Sequence, residues 1–240
     1  MRIAMWSGPR NLSTAMMRSF GNRPDTYVTD EPFYSHYLKK TRLAHPGAEE
    51  VIRTHEADWL KVVDWLTGPI PNGKTHWYQK HMAHHLLPGM DCDWMNNLHH
   101  AFLIRDPEDV VASLTEFISY PTLRDTGFPQ QEALFEMQRK RLGKIPPVID
   151  SRDLQSKPAS VLGQLCENLG ISYTDAMLSW QPGIHPTDGC WAKHWYAKVA
   201  KTTGFSAPRE KTSKVPEELM PILDECRHIY NRLHQYRIIP

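Results

Sequence analysis

A short polar stretch near the start of the chain, SGPRNLSTAM, combines one cation, Arg10, with two hydroxyls, Ser13 and Thr14. Apolar residues occupy positions 3–6 and recur at helical spacing over residues 12–20, which predicts a strand, a tight loop and a helix. That geometry directs unpaired backbone N–H groups and the positive end of a helix dipole at one point. The loop therefore suits a phosphate or sulfate group. The alternative is an ordinary turn capped by Ser13, with Arg10 solvated.

A second arginine and serine follow the clearest buried strand, AFLIR, in the stretch LIRDPEDVVASL. Arg105 ends that strand, and Ser113 lies two turns into the next helix. Asp106 as N-cap and Pro107 at the first helical position predict where this helix begins. In an open parallel sheet, ligands lie beyond the carboxyl ends of the strands, so we expect Arg10 and Arg105 at the same edge. Two anion-binding groups at one edge indicate a ligand that is anionic at two places.

The elements that must position these residues alternate between strands and helices. Short strands are predicted at residues 3–6, 27–29, 75–82, 101–105 and 147–150. Helical patterns are clearest over residues 49–66, 107–118, 129–142, 158–170 and 219–233. This alternation predicts an α/β fold, a three-layer sandwich with a mainly parallel central sheet and right-handed crossovers.

The composition restricts the class of function. Lys and Arg total 28 against 27 Asp and Glu, a net charge of +1, which argues against a protein held on nucleic acid or acidic membrane by bulk charge. The four cysteines form no C-x-x-C pair, and the sequence shows no signal peptide and no apolar run of about 20 residues. We therefore expect a soluble cytoplasmic protein with free thiols and a small-molecule partner. A homo-oligomer is left open.

The two anion-binding stretches resemble the nucleotide motifs of the sulfotransferase superfamily. PRNLSTAM resembles the 5′-phosphosulfate loop P-K-S-G-T-T-x-L, with Pro9, Ser13 and Thr14 in register. Arg10 stands where the family usually has lysine, and Leu12 replaces the loop glycine. RDPEDVVAS is similar to the family's 3′-phosphate motif R-x-P-x-D-x-x-x-S.

Two further stretches extend the resemblance over residues 5–171. QKHMAHHLLP (79–88) resembles the K-T-H-x-P-x-x-L-L-P stretch that carries the acceptor-side histidine, which places His81 in that role. VIDSRDLQSKPASVLGQLCENLGI (148–171) looks like the family's Y-E-D-L…P…I-x-x-F-L-G-I segment. The family's R-K-G-x-x-G-D-W-K loop is not recognisable, and DGCWAKHWYAKVAKTTGF (188–205) occupies the corresponding region.

The resemblance implies a P-loop NTPase-like architecture: one sulfotransferase-like domain over residues 1–240, with a nucleotide-binding core at 1–171 and a flap and C-terminal helix at 172–240. It implies 3′-phosphoadenosine 5′-phosphosulfate (PAPS) as donor co-substrate, no metal, and transfer of a sulfuryl group to an acceptor hydroxyl or amine. The residues that it implies for donor binding are Pro9, Arg10, Asn11, Ser13, Thr14, Arg105 and Ser113.

The resemblance also implies three catalytic residues. Arg10 would meet the bridging oxygen as charge builds there. His81 is the first candidate for the base that takes the acceptor's proton, and Glu31, just after the second strand in TDEPF, is the second, because other branches of the superfamily use a glutamate in this region. The alternative for Glu31 is a cap on a helix that begins near Pro32.

Other interpretations of the sequence stay open. A nucleotide- or phosphate-binding module would keep the anion sites without the chemistry. A kinase-like phosphotransferase would need a metal-holding aspartate, for which Asp150 is the candidate, but the loop lacks the Walker lysine. Thirteen histidines invite a zinc site, although His81, His84 and His85 do not form a zincin pattern. The sequence does not identify the acceptor.

Overall fold

A computed structural model describes residues 1–208 and 215–240, so residues 209–214 of the expected flap lie outside it. Its strands are β1 (Arg2–Ser7), β2 (Thr26–Asp30), β3 (His76–Met82), β4 (His99–Ile104) and β5 (Val148–Asp150). They form one sheet in the order β2-β3-β1-β4-β5, and every described pairing is parallel. The predicted α/β fold with a mainly parallel sheet is therefore confirmed.

The helices surround this sheet. In the described ranges they are α1 (Ser13–Gly21), α2 (Tyr34–Thr41), α3 (Ala48–Thr54), α4 (Trp59–Thr67), α5 (Pro107–Leu114), α6 (Phe128–Leu142), α7 (Ser151–Ser156), α8 (Pro158–Leu169), α9 (Ala192–Trp195) and α10 (Met220–His234). The stretch 49–66, predicted as one helix, is two helices. The second begins separately because Asp58 caps it by accepting a hydrogen bond from the Leu60 N–H.

Side chains alternate across β1 and contribute to two hydrophobic cores. Ile3 and Met5 face the side where α1 and α8 pack. Ala4 and Trp6 face the other side, where α4, α5, α6 and α10 pack. Helices on both faces of a parallel sheet make the three layers that the sequence predicts.

The parallel strands bring four loops to one edge of the sheet. In register, Ser7 at the end of β1 lies beside Met82 of β3 and Leu103 of β4, and Asp30 at the end of β2 lies beside Lys80. The segments that follow β1, β2, β3 and β4 therefore share this edge. In the part of the chain that is described, no helix is both long and apolar enough to cross a bilayer.

Candidate functional site

The loop between β1 and α1 has an unusual backbone. Arg10 (φ 65°) and Leu12 (φ 61°, ψ 15°) both adopt the left-handed conformation. Residues other than glycine rarely do so, and such strain costs about 1–3 kcal/mol for each residue unless the surrounding structure enforces it. Leu12 thus takes a conformation that glycine adopts without strain, at the position where the sulfotransferase loop has glycine.

The start of α1 leaves backbone donors free. Its N-terminus has no side-chain cap, and Met16 is the first helical residue whose N–H has an acceptor, the Leu12 carbonyl at 3.1 Å. Among the described residues, the N–H groups of Ser13, Thr14 and Ala15 have no acceptor. Together with the left-handed residues before them, these free donors suit an anion.

Asn11 anchors the loop from below. Its side chain is buried, and Nδ2 donates to the Leu103 carbonyl at 3.1 Å. The Ser151 hydroxyl donates to the Ile104 carbonyl at 2.8 Å, and its oxygen also lies 3.2 Å from the Asn11 carbonyl oxygen. Asn11, which the resemblance implies as a donor-binding residue, therefore lies beneath the loop and holds it on β4 and α7.

Two glycines allow the loop before α6 to pack against the β1–α1 loop. A Cβ on Gly8 would lie 2.7 Å from the Thr126 carbonyl oxygen, and one on Gly127 (φ 75°) would lie 3.0 Å from the Gly8 Cα. Gln131 adds hydrogen bonds from Nε2 to the carbonyls of Trp6 at 3.3 Å and Leu103 at 2.7 Å. These supports were not predicted from the sequence, in which Gly127 immediately before the helix is the available signal.

The structure brings the two predicted anion sites into contact. The Arg10 Nε donates to the Ser113 hydroxyl at 2.8 Å, and the Arg105 Nη1 donates to the Arg10 carbonyl at 2.8 Å. The Arg10 guanidinium also lies 4.9 Å from the centre of the Phe117 ring. Burial lowers the pKa of Arg10, the charge of Glu116 opposes this shift, and the charge of Arg105 adds to it. The two expected sites therefore adjoin each other, and we call Arg10, Arg105 and Ser113, with the start of α1, the cationic surface. Arg105 also pairs with Asp109 at 3.4 Å.

Glu31 lies at the same edge of the sheet, directly after β2. Its backbone is left-handed (φ 39°), and its N–H donates to the Lys80 carbonyl at 3.0 Å. Its carboxylate accepts a hydrogen bond from the Lys80 Nζ at 2.7 Å. Burial raises the pKa of Glu31, the Lys80 ammonium opposes this rise, and the charge of Asp30 adds to it.

Sequence reasoning missed the residues that surround this carboxylate. Lys80 also contacts Asp30 at 2.8 Å and the hydroxyl of Tyr196, directly after α9, at 2.6 Å. The signals available were a lysine inside the buried strand HWYQKHM and two adjacent acids at the end of β2, Asp30 within it and Glu31 directly after it.

His81, the other candidate base, lies in the aromatic core. Its ring stacks on Trp6 with centroids 4.4 Å apart and lies 5.7 Å from the Phe33 ring. Its Nε2 is 3.2 Å from the Gln79 Oε1, and its side chain is buried. Burial lowers the pKa of His81 to about 3, so the imidazole is neutral near pH 7. The structure places His81 on the face opposite the one that Lys80 occupies, since neighbouring residues of a strand alternate.

The other histidines that suggested a metal are packed against aromatic rings. His85 stacks on Tyr34 and Tyr37 with centroids 4.9 and 4.7 Å apart, and burial lowers the pKa of neighbouring His84 to about 4. Within residues 1–208 and 215–240, no group of three or more His, Cys, Asp or Glu side chains has the arrangement of a metal site. The His85 ring therefore packs against the tyrosine side chains of α2.

Asp150, the candidate metal ligand of a phosphotransferase, is engaged in local structure. It caps α7 by accepting hydrogen bonds from the N–H groups of Arg152 and Asp153, and its other oxygen accepts from the Tyr230 hydroxyl at 2.8 Å. These contacts account for the aspartate without a metal.

The segment around α9 reaches across to the end of α5. The rings of Trp195 and Phe117 have centroids 5.1 Å apart, and Lys198 pairs with Glu116 at 3.2 Å. Because the Arg10 guanidinium also lies over the Phe117 ring, this segment lies beside the cationic surface.

Comparisons with known proteins bear on this geometry. A family model described as "Sulfotransferase domain" matches residues 1–232. Branched-chain-amino-acid aminotransferase-like proteins 2 and 1 of Arabidopsis thaliana are each 35% identical, over 96% and 98% of this chain and 41% and 42% of theirs. The chain thus spans about two-fifths of the length of these relatives.

Solved structures share the fold at low sequence identity. A sulfotransferase domain from the curacin biosynthetic pathway aligns with a TM-score of 0.54 and 16% identity, covering 99% of this chain and 98% of its own. A sulfotransferase from Alicyclobacillus acidocaldarius aligns with a TM-score of 0.53 and 13% identity, covering 99% of this chain and 96% of its own.

Proposed function

This chain belongs to the family of sulfotransferase domains, and from that premise we propose that it transfers a sulfuryl group from PAPS to an acceptor hydroxyl or amine. The observation that carries the proposal is the β1–α1 loop, whose left-handed Arg10 and Leu12 precede three N–H groups without acceptors in the described chain. Oriented N–H donors beside two arginines suit a ligand with several anionic groups. The aminotransferase-like name belongs to much longer relatives, and we assign no such activity to this chain.

Each part of the cationic surface has a role in this proposal. The N–H groups at the start of α1, with Ser13 and Thr14, bind the 5′-phosphosulfate, and Pro9 shapes the loop. Arg105 and Ser113 bind the 3′-phosphate. The contact between Arg10 and Ser113 supports a single bound nucleotide that spans both groups.

The transfer is an in-line displacement. The acceptor oxygen or nitrogen forms a bond to sulfur, the bond from sulfur to the bridging oxygen breaks, and its electron pair stays on the 5′-phosphate of the departing 3′-phosphoadenosine 5′-phosphate (PAP). Arg10 stabilises the charge that develops on this oxygen. The acceptor's proton passes to a base of this chain.

Glu31 is better suited than His81 to accept that proton. Its side chain is 11% exposed at the sheet edge, whereas His81 is 1% exposed within the aromatic core. Burial raises the pKa of Glu31 and lowers the pKa of His81 to about 3, which leaves the imidazole a weak base. We therefore assign the base to Glu31.

The test is calorimetric titration with PAP, compared with ATP plus magnesium, followed by measurement of PAP release from PAPS with hydroxyl and amine acceptors. We expect PAP to bind without metal, Arg105→Ala to weaken binding, and the exposed control Arg53→Ala to leave it unchanged. Binding of PAP without consumption of PAPS would favour a non-catalytic nucleotide-binding module. Binding of ATP that depends on magnesium would favour a phosphotransferase.

A further inference from the structure

A buried lysine organises the acceptor side of the site. The Lys80 side chain is 1% exposed, and an ammonium group has three hydrogen-bond donors. All three have an acceptor: Asp30 Oδ1 at 2.8 Å, Glu31 Oε1 at 2.7 Å and the Tyr196 hydroxyl at 2.6 Å. We call these four residues the Lys80 cluster.

The members of the Lys80 cluster are not equally satisfied. Asp30 accepts further hydrogen bonds at Oδ2, from the Tyr196 hydroxyl at 2.7 Å and the Gly189 N–H at 3.2 Å, and its side chain is 1% exposed. The Glu31 side chain is 11% exposed and is the member that borders the sheet edge. A group at this edge can reach the cluster through Glu31.

The cluster carries a surplus of negative charge. Asp30 and Glu31 contribute two carboxylates against one ammonium, so the group has a charge of −1 when all three are ionised. Buried charge that is not balanced favours uptake of a proton. Since Glu31 is the more exposed carboxyl, a proton from an acceptor would be held there.

We propose that Lys80 is a positioning residue for the transfer: it holds the Glu31 carboxylate at the end of β2 in the orientation that receives the acceptor's proton. This inference rests on the proposed function. Tyr196 connects the cluster to residues 188–196, because its hydroxyl contacts both Lys80 and Asp30. The Gly189 N–H also donates to Asp30, so residues 188–196 are held against the Lys80 cluster at two points.

The charged and titratable groups that act on Glu31 come from four elements. They are Asp30 of β2, Lys80 of β3, Tyr34 of α2 and Tyr196 after α9. Lys80 opposes the rise in the pKa of Glu31 that burial causes, and the charge of Asp30 adds to that rise. Loss of the Lys80 charge should therefore raise the pKa of Glu31, and loss of the Asp30 charge should lower it.

The experiment measures PAP release from PAPS against pH, with hydroxyl and amine acceptors and with water, for the wild-type protein and single variants. Lys80→Met should shift the acidic limb of turnover upward by about one pH unit or more, and Asp30→Asn should shift it downward. Glu31→Gln should lower turnover about 100-fold or more. The matched control is Lys74→Met, because Lys74 lies before the start of β3 and its Nζ donates to the Pro24 carbonyl. This control should leave the acidic limb of turnover in place.

A carboxyl ¹³C NMR titration gives a second readout that needs no acceptor. The Glu31 signal, assigned by its loss in Glu31→Gln, should titrate at higher pH in Lys80→Met and at lower pH in Asp30→Asn. A purely structural role for Lys80 would lower the amount of folded protein without moving either the signal or the limb.

The outcomes separate this inference from the proposed function. If wild-type protein consumes PAPS but the acidic limb stays in place in both Lys80→Met and Asp30→Asn, only the role of Lys80 is overturned. If Lys80→Met does not fold, the pH profiles of Asp30→Asn and of the milder variant Tyr196→Phe decide whether the inference holds. Asp30→Asn should shift the acidic limb downward, and Tyr196→Phe should shift it upward by less than the shift expected for Lys80→Met. If wild-type protein neither binds PAP nor consumes PAPS, the proposed function fails, and this inference fails with it.

Discussion

The two ends of the sheet edge hold their charges in opposite ways. Beside β1 and β4, the Arg105 side chain is 29% exposed, and the Arg10 guanidinium contacts a hydroxyl and a ring face. Beside β2 and β3, the Lys80 and Asp30 side chains are each 1% exposed and are hydrogen-bonded to each other. The first region is suited to receive an anion from solvent, and the second is organised before any ligand arrives.

This difference has an energetic consequence. Charges at a partly exposed surface are screened by water, so their removal affects ligand binding more than folding. Removal of one member of a buried ionic group leaves its partner charged and desolvated, which affects folding directly. The following substitutions test this contrast.

Among these substitutions, the largest effect on turnover should come from Arg10→Ala. Turnover should fall about 100-fold or more, because the charge that develops on the leaving oxygen loses its stabilising cation. The fold should persist, since this side chain contacts Ser113 and Phe117 near the surface. PAP release from PAPS measures the turnover, and a thermal melt measures whether the fold persists. Unchanged turnover in a folded variant would reject the role of Arg10.

Lys80→Met should instead act on stability. Breaking a buried ionic group costs about 3–5 kcal/mol in the free energy of unfolding, because Asp30 and Glu31 are left without their cation. Arg105→Ala, at a partly exposed ion pair, should cost about 1 kcal/mol or less. Urea unfolding of the two variants gives both values. Equal losses of stability would remove the contrast between the two regions.

Substitution of Leu12 tests the strained loop. Leu12→Val should weaken PAP binding about tenfold, since β-branched residues are poorly accommodated at positive φ and about 1.4 kcal/mol corresponds to a factor of ten. Leu12→Gly should retain PAP affinity, because glycine adopts this conformation without strain. Calorimetric titration of both variants with PAP is the measurement. Stronger PAP binding by Leu12→Val than by Leu12→Gly would show that the left-handed backbone at residue 12 is not needed for the ligand.

The smallest effect should follow Ser113→Ala. The Arg10 Nε loses its hydroxyl partner, and PAP affinity should fall about threefold to tenfold, the range expected for one hydrogen bond. Thr115→Ala is the control, because that hydroxyl donates to the Ala112 carbonyl within its own turn. If both variants bind PAP equally, Ser113 has no part in the cationic surface.

Much of the region beside β1 and β4 could be predicted from the sequence, because each of its elements is formed by residues close together in the chain. Breakers after an apolar run mark the β1–α1 loop, and Asp106 with Pro107 marks the start of α5. That Arg10 and Arg105 share an edge follows from parallel strands alone. The left-handed backbone of Leu12 could not be predicted, since a leucine there gives no signal of positive φ.

The region beside β2 and β3 was less predictable, because its contacts depend on the order of the strands in the sheet. Lys80 and His81 are adjacent in one buried strand, and only packing shows that the first meets carboxylates and the second meets aromatic rings. The mostly helical rhythm over residues 49–66 belongs to two helices for a local reason, since α3 ends at Thr54 and Asp58 caps the start of α4.

The sequence by itself determined the α/β alternation, the β1–α1 loop and the positions of Arg10 after β1 and Arg105 after β4, since each depends on residues within a few turns of one another. Only the tertiary structure decided that Lys80 meets Glu31, 49 residues away, and Tyr196, 116 residues away. The physical reason is that an ammonium can be buried only where several acceptors converge. The placement of β2 beside β3, and of residues 188–196 over both, creates that convergence.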